Sequence, residues 1–224
     1  MTPQELLAKA QDWLDQDPDP ITRSELRELI KAKKTTVIKD LFDGRIAFGT
    51  SGLRAELGAG PARMNRLVVT QTAAGIANWL KENAQTLAPS VVIGYDARLN
   101  SFAQDSAAVF TAAGIRALLF DTAIPTPILA YAVKQFGFSL GVMVTASHNP
   151  AKDNGYKVYL GGANGGSQIV SPIDKQMAVA IAAVAKTQRY EQIGRADVYQ
   201  VGGQDIIESY LSTTAALVSP HAGP

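Results

Sequence analysis

Gly141-Val142-Met143-Val144-Thr145-Ala146-Ser147-His148-Asn149-Pro150 joins an apolar, β-branched run to a small polar cluster closed by Asn-Pro. The run has the length and composition of a buried strand, and the Asn-Pro pair is a turn signal. Two runs of the same character precede it, Val91-Val92-Ile93-Gly94-Tyr95 and Ala117-Leu118-Leu119-Phe120. Helical patterns lie between them, one opening at Ser101 and running to about Ala113, the other entered through Pro125-Thr126-Pro127 and ending near Gly137. Strand and helix therefore alternate from Val91 to Thr145, which predicts an α/β fold whose sheet is sandwiched between helices. Tyr156 to Leu160 reads as a further strand, either an antiparallel neighbour of the Ser147 strand or a strand at the sheet margin. The sheet is accordingly expected to be mixed and mostly parallel.

Outward from this unit, the N-terminal residues are helical. Thr2 and Glu5 form a capping-box pattern with Pro3 at the first helical position, followed by Leu6, Leu7, Ala10, Trp13 and Leu14 at helical spacing. Asp17-Pro18-Asp19-Pro20 breaks that helix, and Thr22 with Glu25 repeats the capping pattern before Leu26, Leu29 and Ile30. A third helix is expected from about Thr36 to Phe42, ending at Gly44, with Arg45-Ile46-Ala47-Phe48 as a short strand after it. Leu67 to Asn83 is a further helical pattern. After the Tyr156 strand come the glycine-rich turn Gly161 to Gly166, an alanine-rich helix opened by Ser171-Pro172, and a possible strand from Ala196 to Val201. Gly202-Gly203 then breaks the chain before a helical pattern of Ile206, Ile207, Tyr210, Leu211 and Ala215, with no later element for its apolar face. The expected organisation is a helical extension over residues 1–44, an α/β domain over 45–201, and the start of a truncated further domain over 202–224.

The bulk composition narrows the function classes. The 224 residues are 46% hydrophobic and carry 21 Lys and Arg against 20 Asp and Glu, a formal charge of +1. A charge so close to balance supplies no global attraction to nucleic acid or to an anionic membrane, so a positive field must be local. There is no cysteine, which excludes disulfides, thiol catalysis and thiolate metal sites. No basic segment followed by an apolar one opens the chain, and no apolar run is long enough to span a bilayer, so the expected location is cytoplasmic.

Ser147 stands at a strand end, where sites of open α/β sheets collect. A second polar loop, Phe48-Gly49-Thr50-Ser51-Gly52-Leu53-Arg54, sets two hydroxyls, two glycines and a guanidinium where they can face an anion. Nucleotide signatures are missing: there is no Gly-x-x-x-x-Gly-Lys-Ser/Thr, and Gly58 to Arg63 lacks the last glycine of a dinucleotide fingerprint. A hydrolase nucleophile elbow requires glycines where Ser147 has Thr145 and Asn149. His148 is not expected to act as the base for Ser147, because adjacent side chains in an extended segment point to opposite faces. His148 and His221 are the only histidines, which leaves no ligand set for zinc. Two readings stand: capped turns bearing surface cations, or a phosphoryl site in which Arg54 and Lys157 serve the phosphate and the reacting hydroxyl.

Thr145-Ala146-Ser147-His148-Asn149-Pro150 with Asp153-Asn154-Gly155-Tyr156-Lys157 resembles the phosphoserine loop of the α-D-phosphohexomutase superfamily, the phosphoglucomutases and phosphomannomutases. Phe48 to Arg54 resembles the other motif of the first domain of those enzymes, in matching order. The helical N-terminus, Arg63-Met64-Asn65, Thr126-Pro127 and Asn154 to Tyr159 resemble the phosphopentomutase-like branch. The resemblance covers the whole chain as the family's first domain and the opening helix of its second.

It implies a sugar-phosphate mutase that interconverts the 1- and 6-phosphates of a hexose, or the 1- and 5-phosphates of a pentose. In it, Ser147 is the phosphorylated serine and the catalytic group, with Lys157 as acid/base or charge-stabilising group and His148 supporting them. Arg54, Thr50 and Ser51 line the phosphate pocket. The implied cofactors are Mg2+, held here through the phosphate on Ser147, and a sugar 1,6-bisphosphate as activator and intermediate. The metal-binding Asp-x-Asp-x-Asp-Arg loop, the sugar-recognition loop and the distal phosphate clamp of that family have no counterpart in this sequence. The implied partners are therefore the remaining domains of the same enzyme, and the chain alone is expected to be inactive. A non-catalytic domain that binds sugar phosphate or another polypeptide is the alternative.

Overall fold

A computed structural model of the protein describes residues 2–84, 86, 88–98 and 101–218. Three helices come first, α1 (Pro3–Gln16), α2 (Pro20–Lys31) and α3 (Thr35–Phe42). The Thr2–Glu5 capping box forms as expected. At α2 the cap is Asp19, whose Oδ1 accepts from the Ile21 N–H at 2.9 Å, and not Thr22. The Thr22 hydroxyl instead donates to Asp17 Oδ2 at 2.7 Å, because Pro20 already takes the first helical position, where its missing N–H costs nothing. Leu6, Ala10, Trp13, Leu26, Ile38 and Phe42 turn these helices onto the main core, with Trp13 edge-on to Phe42 at 6.0 Å.

The α/β part runs β1 (Leu53–Glu56), α4 (Arg66–Asn83), β2 (Ser90–Tyr95), α5 (Ser101–Ala112), β3 (Arg116–Phe120), α6 (Thr126–Gln135) and β4 (Leu140–Val144), then β5 (Asp153–Leu160), β6 (Ser167–Gln168), α7 (Ile173–Thr187), β7 (Gln200–Gly202) and α8 (Gln204–Ala215). The strands form one mixed sheet in the order β1-β5-β4-β2-β3-β7, with β6 beside β5. Strands β4, β2, β3 and β7 are parallel neighbours, whereas β5 runs antiparallel to β4, β1 and β6. The eight residues between Val144 and Asp153 are too few for a helical crossover, which dictates the antiparallel return.

Alternation along each strand divides the core in two. Val91, Ile93, Ala117, Leu119, Val142, Val144, Tyr156 and Val158 face α4, α5 and α7 in one cluster. Val92, Leu118, Phe120, Met143 and Tyr159 face α6 and α8 in the other. Tyr156 is fully buried, and its hydroxyl donates to Ser106 Oγ at 3.0 Å, which donates in turn to the Phe102 carbonyl at 2.7 Å. The phenol thus has a partner, and burial holds its pKa well above the ordinary tyrosine value.

Three local expectations change. Arg45 to Phe48 is not a strand: the Ile46 N–H donates to the Pro61 carbonyl at 3.0 Å, and the strand that pairs with β5 begins at Leu53. The late strand, expected over Ala196 to Val201, is shorter and lies later, at Gln200–Gly202, aligned with Leu118 to Phe120, so Gly202 belongs to the sheet. The last helix does find a surface, on the earlier helix α6: Ile206 is buried, and Tyr210 meets Tyr131 edge-on at 5.4 Å. Leu211 on the same helix remains exposed. Among the described residues no helix is long and apolar enough to cross a membrane.

Glycine matters most where β1 enters. Gly52 has φ +73°, and a Cβ on it would lie 1.8 Å from the Tyr156 carbonyl oxygen. Gly44 has φ +86° with nothing within 4 Å of such a Cβ. Gly52→Ala is therefore expected to destabilise the fold by at least about 3 kcal/mol, and Gly44→Ala by only about 1 kcal/mol, in urea unfolding. Equal losses in the two variants would show that the close approach at Gly52 has no special weight.

Candidate functional site

Three chain segments meet at the C-terminal ends of β2 and β4, the edge where sites of parallel sheets lie. The first is the turn after β4. Val144 pairs with Tyr156, and the Thr145 N–H donates to the Gly155 carbonyl at 3.1 Å, so the sheet continues to the threshold of Ser147. Ser147 then takes φ +57° and exposes its side chain. The turn closes on itself through the Asn149 N–H to the Ala146 carbonyl (3.0 Å) and the Asp153 N–H to the Pro150 carbonyl (2.9 Å).

The second segment is the hairpin leading into β1. Gly49 and Gly52 exchange reciprocal N–H to carbonyl bonds of 3.2 and 2.7 Å, leaving Thr50 and Ser51 exposed at the tip. Thr50 is tied by its carbonyl to Gln168 Nε2 of β6 at 2.8 Å, not to the Ser147 turn. Arg54 follows in β1, in register with Gly155, and its Nη1 donates to Asn149 Oδ1 at 3.2 Å. Asn149 Nδ2 in turn donates to Asp153 Oδ2 at 2.8 Å.

The third segment is the end of β2, with Asp96 and Arg98. The Thr145 hydroxyl donates to Asp96 Oδ2 at 2.6 Å, and Arg98 Nη2 donates to the carbonyls of Ser147 (2.8 Å) and Asn149 (2.7 Å). Neither residue was singled out from the sequence as part of the site, nor were Asn149 and Asp153. The available signal was position, since polar residues directly after a buried parallel strand lie at the same edge as Ser147.

Lys157 lies two residues beyond Gly155 and so on the same face of β5 as the residue opposite Arg54. Partial burial lowers its pKa from the ordinary lysine value, the positive charge of Arg54 lowers it further, and Asp96 opposes both. The structure also revises the expectation for His148. The left-handed backbone at Ser147 means the segment is not extended, and His148 Nδ1 lies 3.5 Å from Ser147 Oγ.

The site therefore joins Ser147, His148, Arg54 and Lys157 in one neighbourhood, while Thr50 and Ser51 stand on the adjoining hairpin. A hydroxyl at a strand end beside two cations suits an anion bound or carried there. As for a divalent metal, no group of three or more His, Cys, Asp or Glu side chains is placed to hold one among the described residues. A phosphate on Ser147 could supply one ligand from this chain.

Fold and site together define a mixed-sheet α/β domain with a polar, cation-bearing cluster at the C-terminal ends of its parallel strands. Residues 45–188 match the family domain described as phosphoglucomutase/phosphomannomutase, alpha/beta/alpha domain I, and the chain belongs to that family. It is 49% identical over 161 residues to a Haemophilus influenzae protein described as a phosphomannomutase, an alignment covering 71% of this chain and 33% of the relative. It is 47% identical over 173 residues to a Schizosaccharomyces pombe protein described as a phosphoribomutase, covering 76% of this chain and 29% of that one. A crystal structure of a phosphomannomutase-type protein from Thermus thermophilus superposes with a TM-score of 0.63 at 26% identity, over 79% of this chain and 37% of the other. The chain thus spans about a third of the length of the curated relatives it matches.

The Lys157 environment has a pH signature. Because its folded pKa lies below the ordinary 10.5, the unfolded chain binds more protons between those two values, and stability rises with pH across that interval. Lys157→Met should therefore melt at a higher temperature than the parent near neutral pH, with the gap closing as pH approaches the ordinary lysine value. A gap independent of pH would rule out the ammonium as its source.

Proposed function

We propose that this chain is the phosphoserine domain of a sugar-phosphate mutase acting on a hexose or pentose phosphate. The observation that carries the proposal is Ser147, held with φ +57° at the end of β4 beside His148, with Arg54 bonded to the same turn, in a chain of this family. A serine exposed on a rigid strand end can deliver a phosphoryl group without carrying the sheet with it. In the first half-reaction a sugar hydroxyl attacks the phosphorus on Ser147. The new sugar O–P bond forms as the Oγ–P bond breaks, and the hydroxyl proton, taken up by Lys157, ends on Ser147 Oγ. The resulting bisphosphate turns over, and the second half-reaction returns its other phosphoryl group to Ser147 by the same exchange in reverse.

Each side chain has a charge-based role. The depressed pKa of Lys157 favours the neutral amine that can accept a proton. Arg54, with Thr50 and Ser51 on the hairpin, meets the phosphate oxygens, and His148 supports Ser147 Oγ. A phosphate on Ser147 would be the ligand this chain offers to a magnesium ion, which would supply charge neutralisation when bound, its remaining ligands coming from further domains. Residues 1–44 are read as a helical extension on the domain that begins at residue 45, and the chain beyond β7 (Gln200–Gly202) as the opening of the next domain. The names of the relatives, which span hexose and pentose substrates, leave both sugar classes in the proposal.

Phosphopeptide mapping of the protein as it is isolated from its own cells tests the central step. Phosphate is expected on Ser147 and absent in Ser147→Ala, and an unmodified Ser147 in the parent protein would sink the proposal. In a coupled glucose 1-phosphate to glucose 6-phosphate assay with bisphosphate and magnesium, the 224-residue chain should turn over more than about a thousandfold slower than a complete mutase, because several transition-state contacts are missing. Turnover at the rate of a complete enzyme would refute the assignment of those contacts to other domains.

A further inference from the structure

Asp96 and Arg98, at the end of β2, have no part in the phosphate chemistry described above, yet they hold the turn that carries Ser147. A non-glycine residue in the left-handed region is disfavoured by about 1–2 kcal/mol and persists where its surroundings impose it. At Ser147 both flanking peptide groups are bonded. Its N–H donates to Thr145 Oγ1 at 2.9 Å, and since that hydroxyl oxygen accepts from the amide, its own proton is directed to Asp96 Oδ2 at 2.6 Å. The Asp96 carboxylate also accepts from the Arg98 backbone N–H at 3.0 Å and is paired with Arg98 Nη1. The guanidinium completes the ring, with Nη2 donating to the Ser147 carbonyl at 2.8 Å and to the Asn149 carbonyl at 2.7 Å.

We infer that Asp96 and Arg98 are positioning residues for Ser147, a polar clamp that fixes the N–H and the carbonyl of Ser147 and so aims its Oγ out of the turn. The inference rests on the proposal that Ser147 carries the phosphoryl group. The clamp is well suited to the task. The Arg98 side chain is 15% exposed and that of Asp96 24%, so water competes weakly for these bonds. A planar guanidinium can span two carbonyls and a carboxylate at once, which the single nitrogen of a lysine cannot do. Two consequences follow for the bound phosphate. The Ser147 amide points inward and is not a phosphate ligand, and the charge of Arg98 is already matched by Asp96. The anion is left to side chains on the other two segments.

Amide hydrogen exchange, which needs no turnover, tests the clamp directly. In the parent chain the Ser147 amide should exchange at least about tenfold more slowly than an unstructured amide although the residue is exposed. Thr145→Val and Arg98→Gln should abolish that protection while the amides of Val91 to Ile93 keep theirs. Thr145→Ser should preserve it, and Arg98→Lys should fail to restore it. In phosphopeptide mapping, Arg98→Gln should lower the phosphate on Ser147 at least about tenfold, as a misplaced reacting group would, whereas Thr145→Ser should not. If Arg98→Gln unfolds, the Thr145→Val and Thr145→Ser pair decides the matter alone. Parent-like protection of the Ser147 amide in Thr145→Val overturns the inference. So does parent-like phosphorylation in a folded Arg98→Gln. Absence of phosphate from Ser147 in every variant, with the exchange pattern as expected, would instead overturn the phosphoserine proposal and leave the clamp demonstrated.

Discussion

Three backbones converge around Gly155 with no space for a side chain. A Cβ there would lie 2.5 Å from the carbonyl oxygen of Thr145 and 2.8 Å from that of Leu53. Strand β5, the entry of β1 and the end of β4 reach their mutual spacing because residue 155 is glycine. Gly52 permits the matching approach on the other side, against Tyr156. From this contact follow the register that sets Arg54 opposite Gly155, the bond from Arg54 to Asn149, and the presence of Lys157 on the same sheet face. The chemistry of the site is borne by side chains, but their placement is decided by carbonyl groups packed against glycine.

The electrostatics of this edge are left unbalanced by the strand order. Burial lowers the pKa of Lys157, and the nearby positive charge of Arg54 lowers it further. Two such cations repel each other when the site is empty and are both satisfied when an anion lies between them. Arg98 differs because Asp96 matches its charge, so its guanidinium serves the backbone of the Ser147 turn. One edge of the sheet thus carries Arg98, paired with Asp96 and bonded to the turn, beside Arg54 and Lys157, neither of which forms an ion pair among the described residues.

The remaining architecture supports that edge from behind. Strand alternation sends one set of apolar residues to α4, α5 and α7 and the other to α6 and α8, so a rigid double core lies beneath the polar turns. A core of this kind suits the proposed phosphoryl transfer, which depends chiefly on positioning and charge stabilisation. The N-terminal helices extend the first of these cores through Leu6, Trp13, Leu26 and Phe42. They lie outside the matched family domain, which begins at residue 45.

Much of this was legible in the sequence. The apolar runs at 91–95, 117–120 and 141–144 announced the parallel strands because each is short, continuous and bounded by turn residues. The motifs around Ser147 and Arg54 left a capped turn and a phosphoryl site both open on composition, and pointed to the candidate site through their resemblance to one family. Local composition failed where a tertiary competitor won. Arg45 to Phe48 has a strand-like pattern but finds no ladder, and Thr22 has a capping residue's chemistry but loses the position to Asp19 and Pro20. It also failed at His148, where an extended backbone was assumed and a left-handed one occurs. The sequence by itself determined the strand and helix periodicities, the charge balance and the residue types available for phosphate chemistry, all of which are properties of neighbours along the chain. Only the tertiary structure decided that Asp96 and Arg98 grip the Ser147 turn, and that Arg54 meets Asn149 across 95 positions. Those partners are chosen by sheet order and register, which depend on packing between segments that sequence separation does not encode.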